Sequence, residues 1–208
     1  MLEFVFRDHL RLAVHALVLF VAGLLLAVPV LRWRVRVLIL PARGLMRFAL
    51  GLMGRAPGIA RGAGVIFAHN AAVMFLCVAS GFHPMLPAIL TVWTGINIGV
   101  LVKAGDDAPG LLKALQGPPD GWKPGPRLTA LAGLLVPLIE LPCFWFSAAM
   151  GMGMGQRIQA GAALYAEALA ERAAAYACVI LPLLLVSAVA EAVAIRGMGP
   201  PDAATGDG

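Results

Sequence analysis

Two carboxylates, Glu140 and Glu191, each stand alone in a long stretch of sequence with no other charge. An ionisable side chain costs at least about 2.5 kcal/mol at the centre of a bilayer, so in such surroundings it faces protein or water rather than lipid. His69-Asn70 and Asn97 are strongly polar residues in comparable surroundings. At about 1.5 Å of rise per helical residue, His69 and Asn70 lie roughly 12–14 Å beyond Arg61 and Asn97 about 9 Å from Lys103. By the same rise Glu191 lies about 8 Å from Arg196, and Glu140, nearer the middle, about 20 Å from Arg127. His15, close to Arg11, belongs to the opposite side. His69, Asn70, Asn97, Glu140 and Glu191 therefore form one of two things: a polar path or proton/ion site, or an interhelical hydrogen-bond cluster that holds the bundle in register.

Other chemistries lack their residues. The chain has no Gly-x-x-x-x-Gly-Lys-Ser/Thr phosphate loop, no His-Glu-x-x-His and no Cys-x-x-Cys. Its four histidines, His9, His15, His69 and His83, fall at four different positions along the spans, and Ser80 and Ser147 have no matched His. Cys77, Cys143 and Cys178 lie in apolar stretches without paired spacing and read as small buried hydrophobes. No catalytic residue, metal site or cofactor is expected, and the protein is expected not to be an enzyme.

The elements that must position these residues follow from composition. Of 208 residues 61% are hydrophobic and 13% charged, and the mean hydropathy is +0.88. Soluble domains have about 45–50% apolar and about 25% charged residues, so lipid is the expected solvent. The net charge of +5 comes from Lys and Arg that flank apolar runs, the pattern of a membrane protein rather than a nucleic-acid binder. Intervals between basic residues mark the crossings. Arg11 to Arg32 encloses 20 uncharged residues, 12–31, the length of one span. Arg61 to Lys103 encloses 41 residues interrupted by Gly81-Phe82-His83-Pro84, which predicts two helices over 63–82 and 85–103 joined by a tight turn. Spans over 128–156 and 173–195 complete five. Pro137 and Pro142 bracket Glu140 and predict a kinked or broken fourth helix, with a re-entrant pair of half-helices as the alternative.

Between spans, residues 42–55 carry Arg43, Arg47 and Arg55 on one stripe, with Leu45, Phe48, Leu52 and Met53 away from it. This predicts a basic amphipathic helix in the membrane interface whose arginines contact lipid headgroups; a helix facing a cytosolic partner is the alternative. Residues 104–126 read as an exposed loop, 158–172 as a helical extension with Glu167 and Glu171 on one face, and 197–208 as a flexible tail. Five spans place Arg7, Arg11, Arg157 and Arg172 on one side and the other twelve of sixteen Lys and Arg residues on the other. The N-terminus is therefore expected outside and the C-terminus in the cytoplasm. Gly95 and Gly99 form one Gly-x-x-x-Gly, and Gly151 and Gly155 another, beside Ala148-Ala149. They predict a tightly packed bundle or a homo-oligomer seam.

The order of these features resembles the stage II sporulation protein M family over about residues 62–195. The resemblance runs through Phe67-Ala68-His69-Asn70 and Thr94-Gly95-Ile96-Asn97-Ile98-Gly99. It continues through Ile139-Glu140-Leu141-Pro142, the Gly-rich stretch 151–155, Leu181-Pro182-Leu183-Leu184-Leu185 and Val189-Ala190-Glu191-Ala192. The chain departs from the family's pattern in three places. His69 replaces an Asn, Thr94 replaces the Asn before Gly95, and Leu135-Val136-Pro137 stands where Pro-His-Gly often precedes the acidic residue. The resemblance implies a multi-pass inner-membrane protein without catalysis, which in spore formers assembles with cell-wall hydrolases that drive engulfment. Two functions follow as expectations. The first is a membrane scaffold that anchors or recruits partners, these being other membrane proteins or further copies of itself. The second is a small transporter or channel subunit that depends on a separate ATPase, with 33–60 as its coupling surface.

Overall fold

The computed structural model describes residues 2–35, 38, 58–104 and 124–197. The expected interfacial helix 42–55, with Arg43, Arg47 and Arg55, lies outside the described residues, as do most of the 104–126 loop and the tail beyond Gly197. The described elements are all helical: α1 (Leu2–Arg32), α2 (Ile59–Ala79), α3 (Met85–Ala104), α4 (Pro126–Gln159), α5 (Tyr165–Ala175) and α6 (Leu181–Gly197). A five-residue π-helical turn, Tyr176–Ile180, joins α5 to α6. Five helical stretches are long and apolar enough to cross a membrane: His9–Arg32, Ile59–Ala79, Met85–Val102, Pro126–Gln159 and Tyr165–Gly197.

The first span shows how sequence period becomes packing. Positions 9, 13, 16, 20, 23, 27 and 30 are buried, a step of four then three that keeps one stripe facing the bundle. Leu10, Val14, Val18, Val21, Leu25 and Val28 form the exposed stripe opposite. Lipid is as apolar as these side chains, so the buried stripe is held by close packing rather than by exclusion from water.

Glycines set the directions of the crossings. A Cβ added to Gly23 would strike the Val92 carbonyl oxygen and lie 3.1 Å from Gly95 Cα; one added to Gly99 would strike Ala27 Cβ. Residues 23 and 27 thus lie level with 95 and 99, and α1 and α3 run parallel, as the first and third crossings of one bilayer must. Gly153 lies beside Leu12 and His9, and Gly197 against Thr129, so α4 runs antiparallel to both α1 and α6. Arg32, Arg61, Arg127 and Arg196 consequently share one end of the bundle, and Arg11, Arg157 and Arg172 the other.

Three expectations are corrected here. The fourth helix is neither broken nor re-entrant: α4 is continuous for 34 residues through Pro137 and Pro142. Each proline removes one backbone bond, to the carbonyl four residues earlier, and the helix continues past both into a nearly continuous buried run from Cys143 to Gly155. The helix is about 50 Å long and outreaches the roughly 30 Å hydrocarbon layer. Cys178, expected to be buried, is exposed; Cys77 and Cys143 are buried. The 158–172 extension is also not uniform, because a turn at Ala160–Ala163 separates α4 from the last helix.

The irregular turn lies elsewhere, just before Pro182. A proline ring crowds the carbonyl four residues back, here Cys178, and offers it no N–H. The helix answers by widening, and the Leu181 N–H bonds to the Tyr176 carbonyl five residues earlier.

Candidate functional site

Glu140, on the middle of α4, is where three helices meet. Its Oε1 accepts a hydrogen bond from Asn70 Nδ2 on α2 at 2.7 Å and another from Ser187 Oγ on α6 at 3.0 Å. Ser187 is completely buried, and Asn70 and Glu140 are half-buried. Polar residues are few in these apolar helices, so the partners find one another within the protein because lipid offers none. Glu191 lies one turn beyond Ser187 on α6. The site is thus one carboxyl with an amide and a hydroxyl donating to it. As a structural device it fixes the rotation of α2 and α6 about their axes; as a chemical one it is a proton-accepting group at depth.

The structure brings together only part of the five residues that the sequence grouped by depth. Asn70 and Glu140 are hydrogen-bonded, and Glu191 lies one turn beyond Ser187. His69 sits next to Asn70 in sequence but makes no hydrogen bond to this group. Asn97 does not join it: α3 packs chiefly on α1, and Asn97 Oδ1 is buried without a hydrogen-bond partner. Depth along a helix says nothing of direction around it, and direction decides this case. Ser187 was not foreseen. Its only sequence signal is its place four residues before Glu191, since a serine hardly registers in a hydropathy scan and can satisfy itself on its own helix, as Ser147 does on the Cys143 carbonyl at 2.7 Å.

Two tyrosines add to the polar ties between α2 and the last helix. Tyr176 donates to the Ala71 carbonyl at 2.7 Å and Tyr165 to the Ala79 carbonyl at 2.8 Å. At the end of the bundle opposite Arg32, Glu171 Oε2 accepts from Arg157 at 3.0 Å and from Arg172 at 2.7 Å. Arg172 is itself 2% exposed and also donates to the Ala168 carbonyl. The sequence placed Glu171 on a helix face with Glu167; the structure turns it back across the Ala160–Ala163 turn to Arg157.

The packing glycines all close on neighbours within the chain. A Cβ on Gly95 would strike the Phe20 carbonyl oxygen, and one on Gly151 the Cys77 carbonyl oxygen; one on Gly155 would lie 2.7 Å from Pro84 Cα. Gly95 and Gly99 seat α1, while Gly151 and Gly155 seat the end of α2 and the turn into α3. Gly23, the counterpart of Gly95, escaped the sequence reading because it has no Gly four residues away; Ala27 takes that place. Among the described residues no group of three or more His, Cys, Asp or Glu could hold a metal ion. The α1–α3–α4 groove, of about 410 Å³, has apolar walls that include Leu24, Ile98 and Leu141.

Compared with known proteins, residues 56–194, about two thirds of the chain, match the family model described as stage II sporulation protein M. No curated protein and no solved structure matched.

Proposed function

Since this chain belongs to the stage II sporulation protein M family, we propose that it is a non-enzymatic integral membrane scaffold that anchors or recruits partner proteins at the cytoplasmic membrane. The observation that carries this reading is the hydrogen-bonding of Glu140, whose Oε1 is occupied by Asn70 and Ser187 from two other helices. A carboxyl held in this way serves as a tie between spans. The glycine pairs support the same reading, since each is used to bring two parts of the chain into contact. The partners are other membrane proteins or further copies of this chain.

The competing reading is a transporter or channel subunit driven by a separate ATPase, and one comparison separates the two. Gln keeps the shape of Glu and an acceptor oxygen but cannot carry charge. Glu140→Gln should therefore leave partner co-purification and oligomeric size unchanged, and proteoliposomes of wild type and variant should show the same low proton and ion flux. Flux present in wild type and lost in Glu140→Gln would overturn the scaffold.

The N-terminus faces outside and the C-terminus the cytoplasm in this proposal, because Arg32, Arg61, Arg127 and Arg196 share one end and basic residues gather on the cytoplasmic side. Cysteines at Gly121, between the third and fourth spans, and at Ala162 should be labelled by a membrane-impermeant reagent from opposite sides, the second from outside. Ala162 is exposed, whereas neighbouring Gly161 has φ +69° and would resist a side chain. Labelling of both from one side would rule out five crossings.

A further inference from the structure

We propose that the groove between α1, α3 and α4 binds one acyl chain of an anionic phospholipid, with its phosphate met by Arg32. The groove runs between Leu24 and Val28 on α1, Ile98 and Val102 on α3, and Leu141 on α4. Ala27 and Gly99, packed against each other, form part of its floor, and the space is about 410 Å³, which is of the order of a single lipid acyl chain. Its rim is open: Val28 is 47% and Val102 72% exposed. Beside a bilayer such a space fills with hydrocarbon, because a void forfeits the dispersion contacts of its walls.

Charge at one mouth selects the lipid. The parallel course of α1 and α3 brings Val28 and Val102 to the same end of the groove. Arg32 is exposed one turn beyond Val28. Trp33, 75% exposed, is of the type that settles at the headgroup level. The mouth therefore offers an apolar slot, then an amphipathic ring, then a cation, which is the layout of an anionic phospholipid reversed in charge. A helix of a second copy would fill the slot but would leave the Arg32 charge without a counterpart.

The test uses full-length protein in detergent with equal amounts of phosphatidylglycerol and phosphatidylcholine, read by native mass spectrometry. Wild type should retain one phosphatidylglycerol in preference to phosphatidylcholine. Arg32→Gln should lower that preference about fivefold, the contribution of one basic residue near a membrane surface. Val102→Trp should fill the mouth and reduce retention of both lipids, and Val28→Trp should do the same from the opposite wall. All three replace exposed residues, and an unchanged melting temperature and elution volume would establish that they fold. Lipid retention unaffected by both tryptophans, or a preference unaffected by Arg32→Gln, would overturn the proposal. So would a loss of oligomers in Val102→Trp with lipid retention intact, which would assign the groove to a second copy.

Discussion

Gly151→Leu should not assemble the native bundle, and even Gly151→Ala should lower the melting temperature of the detergent-solubilised protein. The first added carbon strikes the Cys77 carbonyl oxygen and lies 2.9 Å from Pro87 Cγ. The first of these is backbone and cannot swing aside, so α2 and α4 must separate. Overpacking a fitted interior costs about 1–3 kcal/mol for a few added atoms, and separating two helices costs further contacts along their length. Gly95→Ala should behave alike, because its first carbon meets the Phe20 backbone on α1. The internal control is a change of sign. Gly64 and Gly133 are helical and have nothing within 4 Å, so Ala there should be neutral or stabilise by up to about 1 kcal/mol through its better helix propensity. A melting series in which all four alanines behaved alike would show that the close approaches do not hold the bundle.

Glu140→Ala should destabilise the protein where Glu140→Gln does not. Alanine removes the acceptor of both Asn70 Nδ2 and Ser187 Oγ, and a buried donor left without a partner costs about 1–3 kcal/mol. The loss for the pair falls toward the lower part of that range, because helices apart in the bilayer also find partners for polar groups. Gln presents an oxygen at the same reach and should keep most of the stability. Adding Asn70→Ala and Ser187→Ala to Glu140→Ala should cost little more, since the donors go with their acceptor. Thermal melting of the single, double and triple variants tests this. Equal losses for Glu140→Ala and Glu140→Gln would mean that the charge, rather than the bonds, matters to the fold.

The five crossings were legible because charges are so scarce that the intervals between them have the length of a span. Glu140 and Asn70 stood out for the same reason: an expensive residue in lipid needs a partner, and both were available at depth. Direction around the helix axis was not legible. Asn97 matched the cluster in depth, yet it lies on the helix that packs against α1, and nothing in its spacing separates the two faces of a span as apolar as α3. Contacts to backbone were equally hidden. Gly23 faces the Val92 carbonyl and Gly95 Cα, partners that leave no mark in the pattern of side chains. Pro137 and Pro142 pointed to a kinked or broken helix, and α4 runs through both without a break. Before Pro182 the helix does change, into the π-helical turn. Exposure does not separate the cases, since Pro137 and Pro182 are both exposed.

The wide turn at Tyr176–Ile180 divides the last span into two segments of different phase. Before it the inward positions are 168, 172 and 175; within it they are 176, 179 and 180; after it they are 184, 187, 188, 192 and 194. An unbroken α-helix carried on from residue 179 would bring 183 and 186 inward, and Leu183 and Val186 are in fact exposed. One additional residue in the turn thus offsets the face by about 100°, and this offset is what aims Ser187 at Glu140. The two segments can therefore be tuned separately by substitution, but their alignment is a matter of chain length. Loss of a single residue between Tyr176 and Ile180 would leave the polar residues of all three helices in place and still turn the Ser187 hydroxyl away from Glu140, toward lipid.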